Sequence, residues 1–340
     1  MTNSKNSGHI FIIAEAGVNH DGNIDQAIQL IDIATQAGAD AVKFQTFKTE
    51  AMVTKTAQMA EYQVTSPKKL NSQFELLKNL ELSWNDHLTL FDYAKKNHIE
   101  FLSSPFDIES INLLEKLNIN TYKIPSGEIL SIPYLRALAK LNKKTILSTG
   151  MSDINEIHTA IKCLTNAGLE LNNLTLLHTN TAYPTPYEDV NLNAMLTLKE
   201  LFSVDVGFSD HSLGIEVPIA AAALGASVIE KHFTLDKLLP GPDHQASLSP
   251  QELKMMISAV RNIEIALGSE EKKISPSESK NITAARKSIV AKQDIKIGEL
   301  FTEDNLTIKR PGNGLSSLLW DKVVGTKAKQ NFLTDTPIRL

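Results

Sequence analysis

From Ile10 to about Gly268, short apolar runs alternate with longer stretches in which apolar residues recur at three- and four-residue spacing. The short runs are too brief for helices and read as strands: Ile10–Ala14, Ala41–Gln45, Glu100–Ser103, Thr121–Ile124, Lys144–Ser148, Leu174–His178, Asp205–Phe208 and Ser227–Lys231. The longer stretches, among them Ile24–Ala37, Trp84–Lys96, Ile108–Leu117 and Asn155–Ala167, carry the helical period. Strands separated by helical segments predict parallel βαβ units. Eight units in roughly 260 residues fit a closed (β/α)₈ barrel, an α/β fold of the TIM type. An open doubly wound sheet is the competing topology, but no G-x-G-x-x-G follows the first strand.

Two departures interrupt the alternation. Thr46 to Leu80, with Met52, Met59, Tyr62 and Gln63, is a long excursion after the second strand. In a barrel it would rise from the catalytic face, which predicts a lid. Beyond Gly268 the chain turns polar and proline-interrupted, so 1–268 reads as the barrel domain and 269–282 as a linker. The remainder, 283–340, is rich in β-formers and glycine turns. Its own small core would comprise Ile289, Val290, Ile295, Leu306, Ile308, Val323 and Val324. At that size it lies near the lower limit for independent stability.

Composition changes this picture little. The 340 residues are 42 % hydrophobic and 21 % charged, which argues against disorder. A net charge of −5 supplies no basic footprint for nucleic acid or an anionic membrane. No apolar run approaches ~18 residues, and Met1–His9 lacks the apolar centre of a signal peptide, so a cytoplasmic protein is expected. Cys163, the one cysteine, sits in a helical pattern with Ile157, Ala160, Ile161 and Leu164 and reads as a packed, reduced thiol.

Barrel chemistry sits where strands end. Here every end carries polar or titratable groups: Glu15 with Asn19-His20; Lys43 and Gln45; Ser103-Ser104; Lys123, Ser126 and Glu128; Ser148-Thr149-Gly150; Asn180-Thr181 with Tyr183; Ser209-Asp210-His211; and Glu230-Lys231-His232. Singly, a strand lysine snorkels and a Ser-Thr-Gly caps a helix. Eight such ends together predict a binding mouth. Lys43 and Lys123 with Ser104, Ser126, Ser148 and Ser209 form an anion site suited to phosphate or carboxylate. His211 and His232, on neighbouring strands, could share one metal ion and leave coordination positions open for catalysis.

The segments AEAGVNHDG (14–22), VKFQTFK (42–48), SSPFD (103–107), YKIPSGE (122–128), ILSTGM (146–151), NTAYPTPYEDVNL (180–192), GFSDHSLG (207–214), EKHFTLDK (230–237) and GPDHQASL (241–248) resemble the N-acetylneuraminate (sialic-acid) synthase family. That family's relatives make legionaminate and pseudaminate. The stretch from Ala285-Arg286-Lys287-Ser288 through KRPGNG (309–314) resembles its antifreeze-like, or SAF, domain. The resemblance runs over nearly the whole chain with its motifs in order. It implies a transferase that condenses phosphoenolpyruvate with the open-chain form of an N-acetylated mannose-type sugar. The products would be a nine-carbon 2-keto acid and phosphate, by C–O cleavage.

It also implies residue roles. His211 and His232 would hold Mn²⁺, or Mg²⁺ or Co²⁺. Lys43, Ser104, Lys123, Ser126, Ser148, Asn180 and Ser209 would bind phosphoenolpyruvate. Glu15, Gln45, Tyr183 and Asp243 would face the sugar, with Glu128 nearby. Glu15, Glu128, Lys43 and Lys123 are the expected catalytic set, and either carboxylate could activate the water. Arg310, from the SAF domain of a partner subunit in a swapped homodimer, would hold the sugar's N-acetyl group.

Three departures show: Ser104 where some members carry Thr, His178-Thr179-Asn180 where a Cys often follows the His, and Ala182 where many show Glu. The last, with SLGIEVPIAAAALGA (212–226), points to an N,N'-diacetyllegionaminate synthase over an N-acetylneuraminate synthase that uses N-acetylmannosamine. Two remoter readings are a Schiff-base aldolase acting through Lys123 and a non-catalytic sugar-binding protein.

Overall fold

The computed structural model describes residues 9–59 and 72–340. They divide into two compact units, one ending at Gly268 and one spanning Ser269–Leu340. The first unit carries eight parallel strands: β1 (Phe11–Gly17), β2 (Ala41–Thr46), β3 (Glu100–Pro105), β4 (Thr121–Ile124), β5 (Lys144–Ser148), β6 (Leu174–Thr179), β7 (Asp205–Asp210) and β8 (Val228–His232). Their order is β3-β2-β1-β8-β7-β6-β5-β4, so the two ends of the sheet are consecutive in sequence. Across that seam Thr121 donates its hydroxyl to Glu100 at 3.0 Å. The fold is the expected TIM-type barrel. Several strands run one or two residues further than the apolar pattern alone predicts, because their last residues are polar and buried.

The helices begin and end where side chains can satisfy loose backbone groups. Helix α1 (Ile24–Ala37) starts at Asn23, whose side chain accepts from the N–H groups of Asp25 and Gln26, and stops at Gly38 in a left-handed conformation. Capping boxes open the helices Trp84–Lys96 (Ser83 with Asp86), Ile154–Asn166 (Asp153 with Glu156) and Pro250–Leu267 (Ser249 with Glu252). Their apolar faces pack outside the strands in one large cluster that includes Leu30, Leu90, Leu135, Leu164, Phe208, Ile229 and Phe233.

Strand alternation divides the barrel interior into layers. Ile13, Ala41, Leu102, Ile146, Leu177 and Val228 form an apolar plug. Two residues further along each strand stand Glu15, Lys43, Ser104, Ser148, Thr179 and Glu230, all buried. The plug is tight: a Cβ on Gly207 would lie 2.2 Å from the Val228 carbonyl oxygen. The polar layer therefore rests on a water-excluding floor.

The excursion after β2 is rooted at the C-terminal ends of the strands. Val18, Phe47, Leu76, Leu77 and Leu80 form a separate small core, with Met52, Val53, Met59 and Phe106 against it. Glu81 clips its base, accepting from the Thr49 N–H and hydroxyl and from Lys48. Tyr62 and Gln63 lie outside the described residues, and the lid stays an expectation. Cys163 is free and half-buried.

In the second unit β9 (Ser288–Ala291) pairs antiparallel with β10 (Leu306–Lys309). Ile289, Ile295, Phe301, Leu306, Val323, Phe332 and Ile338 make its core. Ile308, expected inside, is 39 % exposed. The polar stretch read as a linker contains one helical turn, Pro276–Ser279, held by a Ser275–Glu278 capping box, and a second turn, Ile282–Ala285, begins at its end. Among the described residues no helix is long and apolar enough to cross a membrane.

Candidate active site

Four titratable side chains meet over the apolar plug. Lys43 Nζ lies 2.9 Å from Glu15 Oε2 and 3.6 Å from Glu230 Oε2, and donates to Ser104 Oγ at 3.1 Å. Lys123 Nζ lies 3.6 Å from Glu230 Oε1 and donates to Ser148 Oγ at 2.7 Å. Ser209 Oγ donates to Glu230 Oε1 at 2.9 Å. The strands thus bring together Glu15, Lys43, Ser104, Lys123, Ser148 and Ser209. Ser126 stands at the edge, accepting the Gly150 N–H at 3.1 Å.

Glu230 is the member that sequence reasoning left without a role. Val228, Glu230 and His232 alternate on one face of β8, so selecting His232 already implied that Glu230 points inward. The structure makes it the carboxylate shared by both lysines.

The two carboxylates differ in charge. Burial pushes Glu15 up to about 8, with the Glu230 charge adding to the push against the pull of Lys43. Burial would also raise Glu230, but Lys123 and Lys43, with the Ser209 hydroxyl, hold it down at about 2. The two carboxyls are thus pushed apart, Glu230 towards the anion and Glu15 towards the protonated form, the separation that lets one carboxyl serve as acid and the other as fixed charge. The lysines split as well. Burial lowers Lys123 to about 8 against the pull of Glu230. Burial opposes the charge on Lys43 too, yet Glu15 and Glu230 outweigh it and its pKa rises.

Above this layer sit the imidazoles. His211 and His232 lie with ring centroids 5.3 Å apart, and Tyr183 stacks on His211 at 4.0 Å and meets His232 edge-on at 5.7 Å. His211 donates its Nδ1–H to the Asn180 carbonyl at 2.5 Å, which leaves Nε2 with its lone pair. Burial lowers His211 to about 4 and His232 well below its ordinary value, so both rings are neutral. His232 Nδ1 is buried without a hydrogen-bond partner, and Asp243 Oδ2 stands 3.9 Å away. Neutral, buried imidazoles with lone pairs to spare suit a divalent cation. Among the described residues no group of three or more His, Cys, Asp or Glu gathers as a metal cage. An ion here would complete its coordination with water or substrate oxygens.

Around the rim the predicted residues are less concentrated. Gln45 lies beside Ser104 in the β2–β3 register. Asn180 uses its side chain locally, accepting the Ala182 N–H at 2.8 Å and donating to the Asp189 carbonyl at 3.3 Å. Glu128 is half-buried in a single turn after β4, and burial raises its pKa. Burial pushes Asp243 up to about 6. Arg310 belongs to the second unit, where its Nε–H donates to the Ala285 carbonyl at 2.9 Å.

Comparison with known proteins brings independent findings. The sequence profile of the NeuB family matches residues 30–272, and that of the SAF domain matches residues 286–340. An N,N'-diacetyllegionaminic acid synthase of Campylobacter jejuni is 52 % identical over 96 % of this chain and 98 % of its own length. An N,N'-diacetyllegionaminic acid synthase of Legionella pneumophila is 45 % identical over 96 % of this chain and 93 % of its own. The crystal structure of an N-acetylneuraminic acid synthetase from Leptospira borgpetersenii, in complex with citrate, superposes with a TM-score of 0.71 at 33 % identity, covering 83 % of this chain and 94 % of that one.

Proposed function

The chain belongs to the NeuB family, and from that membership we propose that it is a phosphoenolpyruvate-dependent synthase that builds a nine-carbon 2-keto sugar acid from an N-acetylated mannose-type aldehyde. The observation that carries this reading is the layer of two lysines and three hydroxyls directly beneath a pair of neutral imidazoles. That arrangement suits an anionic enol ester held beside an aldehyde.

Lys43 and Lys123, with Ser104, Ser148 and Ser209, bind the phosphate and carboxylate of phosphoenolpyruvate, with Ser126 and Asn180 at the edge. Holding the enol methylene against the aldehyde carbon contributes up to ~7–11 kcal/mol of orientation and entropy. His211 and His232 would hold a divalent cation, Mn²⁺ in this reading, and its chemistry there would be Lewis-acid polarisation of the aldehyde. The methylene carbon forms the new C–C bond, and Glu15 gives its proton to the nascent alkoxide. Lys43, 2.9 Å away, then steadies the Glu15 carboxylate. That carboxylate takes a proton from the water attacking C2, and the tetrahedral intermediate expels phosphate with its bridging oxygen. Glu15 is preferred to Glu128 as this acid and base because it is buried within the lysine cluster. Gln45, Tyr183 and Asp243 face the sugar. Arg310, presented by a partner subunit in a swapped homodimer, holds the acetamido group. Because phosphoenolpyruvate is an intracellular metabolite, the reaction belongs to the cytoplasm.

The proposed acceptor is 2,4-diacetamido-2,4,6-trideoxymannose, giving N,N'-diacetyllegionaminate. Support comes from the 52 % and 45 % identity to legionaminic acid synthases, against 33 % to the N-acetylneuraminic acid synthetase, and from Ala182 beside Tyr183. A pocket shaped for a deoxy sugar rejects an added hydroxyl by only ~10², whereas a site built to bond that hydroxyl rejects its absence by ~10⁴–10⁵. Phosphate release should therefore be fast with the deoxy sugar and measurable with N-acetylmannosamine. If N-acetylmannosamine wins by more than about tenfold in kcat/KM, the acceptor is wrong; no phosphate release from any N-acetylated mannose would sink the function.

A further inference from the structure

Lys231 is fully buried and stands on the opposite face of β8 from Glu230 and His232. Its neighbours on that face, Ile229 and Phe233, belong to the apolar layer between strands and helices, as does Phe208 on β7. A charge there is costly. Its Nζ meets Asp210 Oδ2 at 2.5 Å, across the β7–β8 register, and donates to the Ser212 carbonyl at 2.5 Å. Asp210 Oδ1 accepts the Ser212 N–H at 2.9 Å. One buried ion pair therefore ties Asp210, which precedes His211, to both backbone groups of Ser212, which follows it. The His211 carbonyl is itself fixed by the Thr185 N–H at 2.9 Å, and its ring by the Asn180 carbonyl.

Buried ion pairs are often no more stabilising than apolar residues of the same volume. Stability is thus a weak reason to place a lysine and an aspartate in this layer. We propose that Lys231 and Asp210 are positioning residues: they clamp the turn 210–212 so that the His211 imidazole is held in the orientation that binds metal. This rests on the reading of His211 and His232 as metal ligands. Both stand on the faces of β7 and β8 opposite Ser209, Glu230 and His232. Groups that orient a ligand from behind typically change metal affinity by ~10–100-fold.

The test uses the full-length chain stripped of metal, with Mn²⁺ as probe in calorimetric titration and thermal unfolding as the check on folding. Lys231→Met alone leaves Asp210 buried and uncompensated and is expected to lower the melting temperature. The double variant Lys231→Met/Asp210→Asn removes both charges and keeps an acceptor for the Ser212 N–H. It is expected to melt cooperatively near the wild type, yet to bind Mn²⁺ ~10–100-fold more weakly, while phosphoenolpyruvate still protects it from unfolding as it does the metal-free wild type. Wild-type Mn²⁺ affinity in the double variant would overturn the clamp. So would failure of the double variant to fold, or parallel loss of phosphoenolpyruvate binding, since either would make the pair merely structural. If instead His211→Ala binds Mn²⁺ as tightly as the wild type, it is the metal reading that has failed.

Discussion

Glu230 Oε1 lies 3.6 Å from Lys123 Nζ while its other oxygen lies 3.6 Å from Lys43, so one carboxylate neutralises part of both lysines in the free enzyme. Its Oε2 has no hydrogen-bond partner. Removing one partner of a buried charge pair costs about 3–5 kcal/mol. Glu230→Gln should therefore lower the melting temperature of the free protein. A bound phosphoenolpyruvate would supply the missing negative charge, so its stabilising shift should be larger in the variant than in the wild type. A shift equal to or below that of the wild type would show that Glu230 is not the internal counter-ion of the site.

Metal dependence follows from the imidazole pair. EDTA is expected to abolish turnover, and Mn²⁺ or Co²⁺ to restore it. His211→Ala and His232→Ala should each reduce kcat/KM by at least ~10²-fold, the scale of losing one strong electrostatic contact in a buried site. Near-normal, chelator-insensitive rates in both variants would remove the metal from the mechanism.

Lys123 sets an alkaline limit. Its pKa is lowered by burial to about 8, so raising the pH through that value discharges the lysine and weakens the hold on a dianion. The Glu15 proton that the acid step uses is lost near the same pH, so the pH profile of kcat/KM for phosphoenolpyruvate should fall more steeply than tenfold per unit above about pH 8. Arginine stays charged to ~12 and beyond, so a folded Lys123→Arg variant should keep only the Glu15 ionisation near about 8, and its limb should flatten to tenfold per unit even if its maximal rate is lower. A lowered lysine pKa also suits an imine, and borohydride with pyruvate checks that: unimpaired activity after treatment is the expected result.

Attack of water at C2 means that the bridging oxygen of phosphoenolpyruvate departs with phosphate. With that oxygen labelled, mass spectrometry should find the label in phosphate; its recovery in the keto acid would rule the route out.

Arg310 is held from below by its own domain. The Ser288 hydroxyl donates to the Pro311 carbonyl at 2.7 Å and accepts the Gly314 N–H at 2.8 Å, and the Gly312 N–H donates to the Thr283 carbonyl at 2.6 Å. Gly314 has no room for a side chain, since its Cβ would lie 2.8 Å from Pro337 Cβ. Arg310→Ala should raise KM for the sugar by at least ~10-fold, the loss of one charge-assisted contact of about 1.5–3 kcal/mol, with KM for phosphoenolpyruvate unchanged. Mixing Arg310→Ala with His211→Ala subunits should restore activity if the SAF domains are swapped. Verified heterodimers without activity would count against swapping.

Much of this protein was legible in the amino-acid order. The short apolar runs and the period-3.6 stretches between them specified eight strand–helix units and hence the barrel, because each face that must be buried is written as apolar positions along one element. Since barrel chemistry collects at strand ends, the same pattern singled out Lys43, Lys123, His211 and His232. What the sequence left open is what residues do to one another across strands. Glu230 became the shared counter-ion only when β2, β4 and β8 brought Lys43 and Lys123 within 3.6 Å of it. Glu15 and Glu230, two residues of the same type, are shifted in opposite directions because burial acts on both while the lysines lie on two sides of only one. Lys231 looked like one more strand-end cation, yet alternation turned it away from the mouth and against Asp210. Periodicity is a property of one segment and can be read along it; distance, desolvation and shared charge belong to pairs of segments, and only the folded barrel decides them.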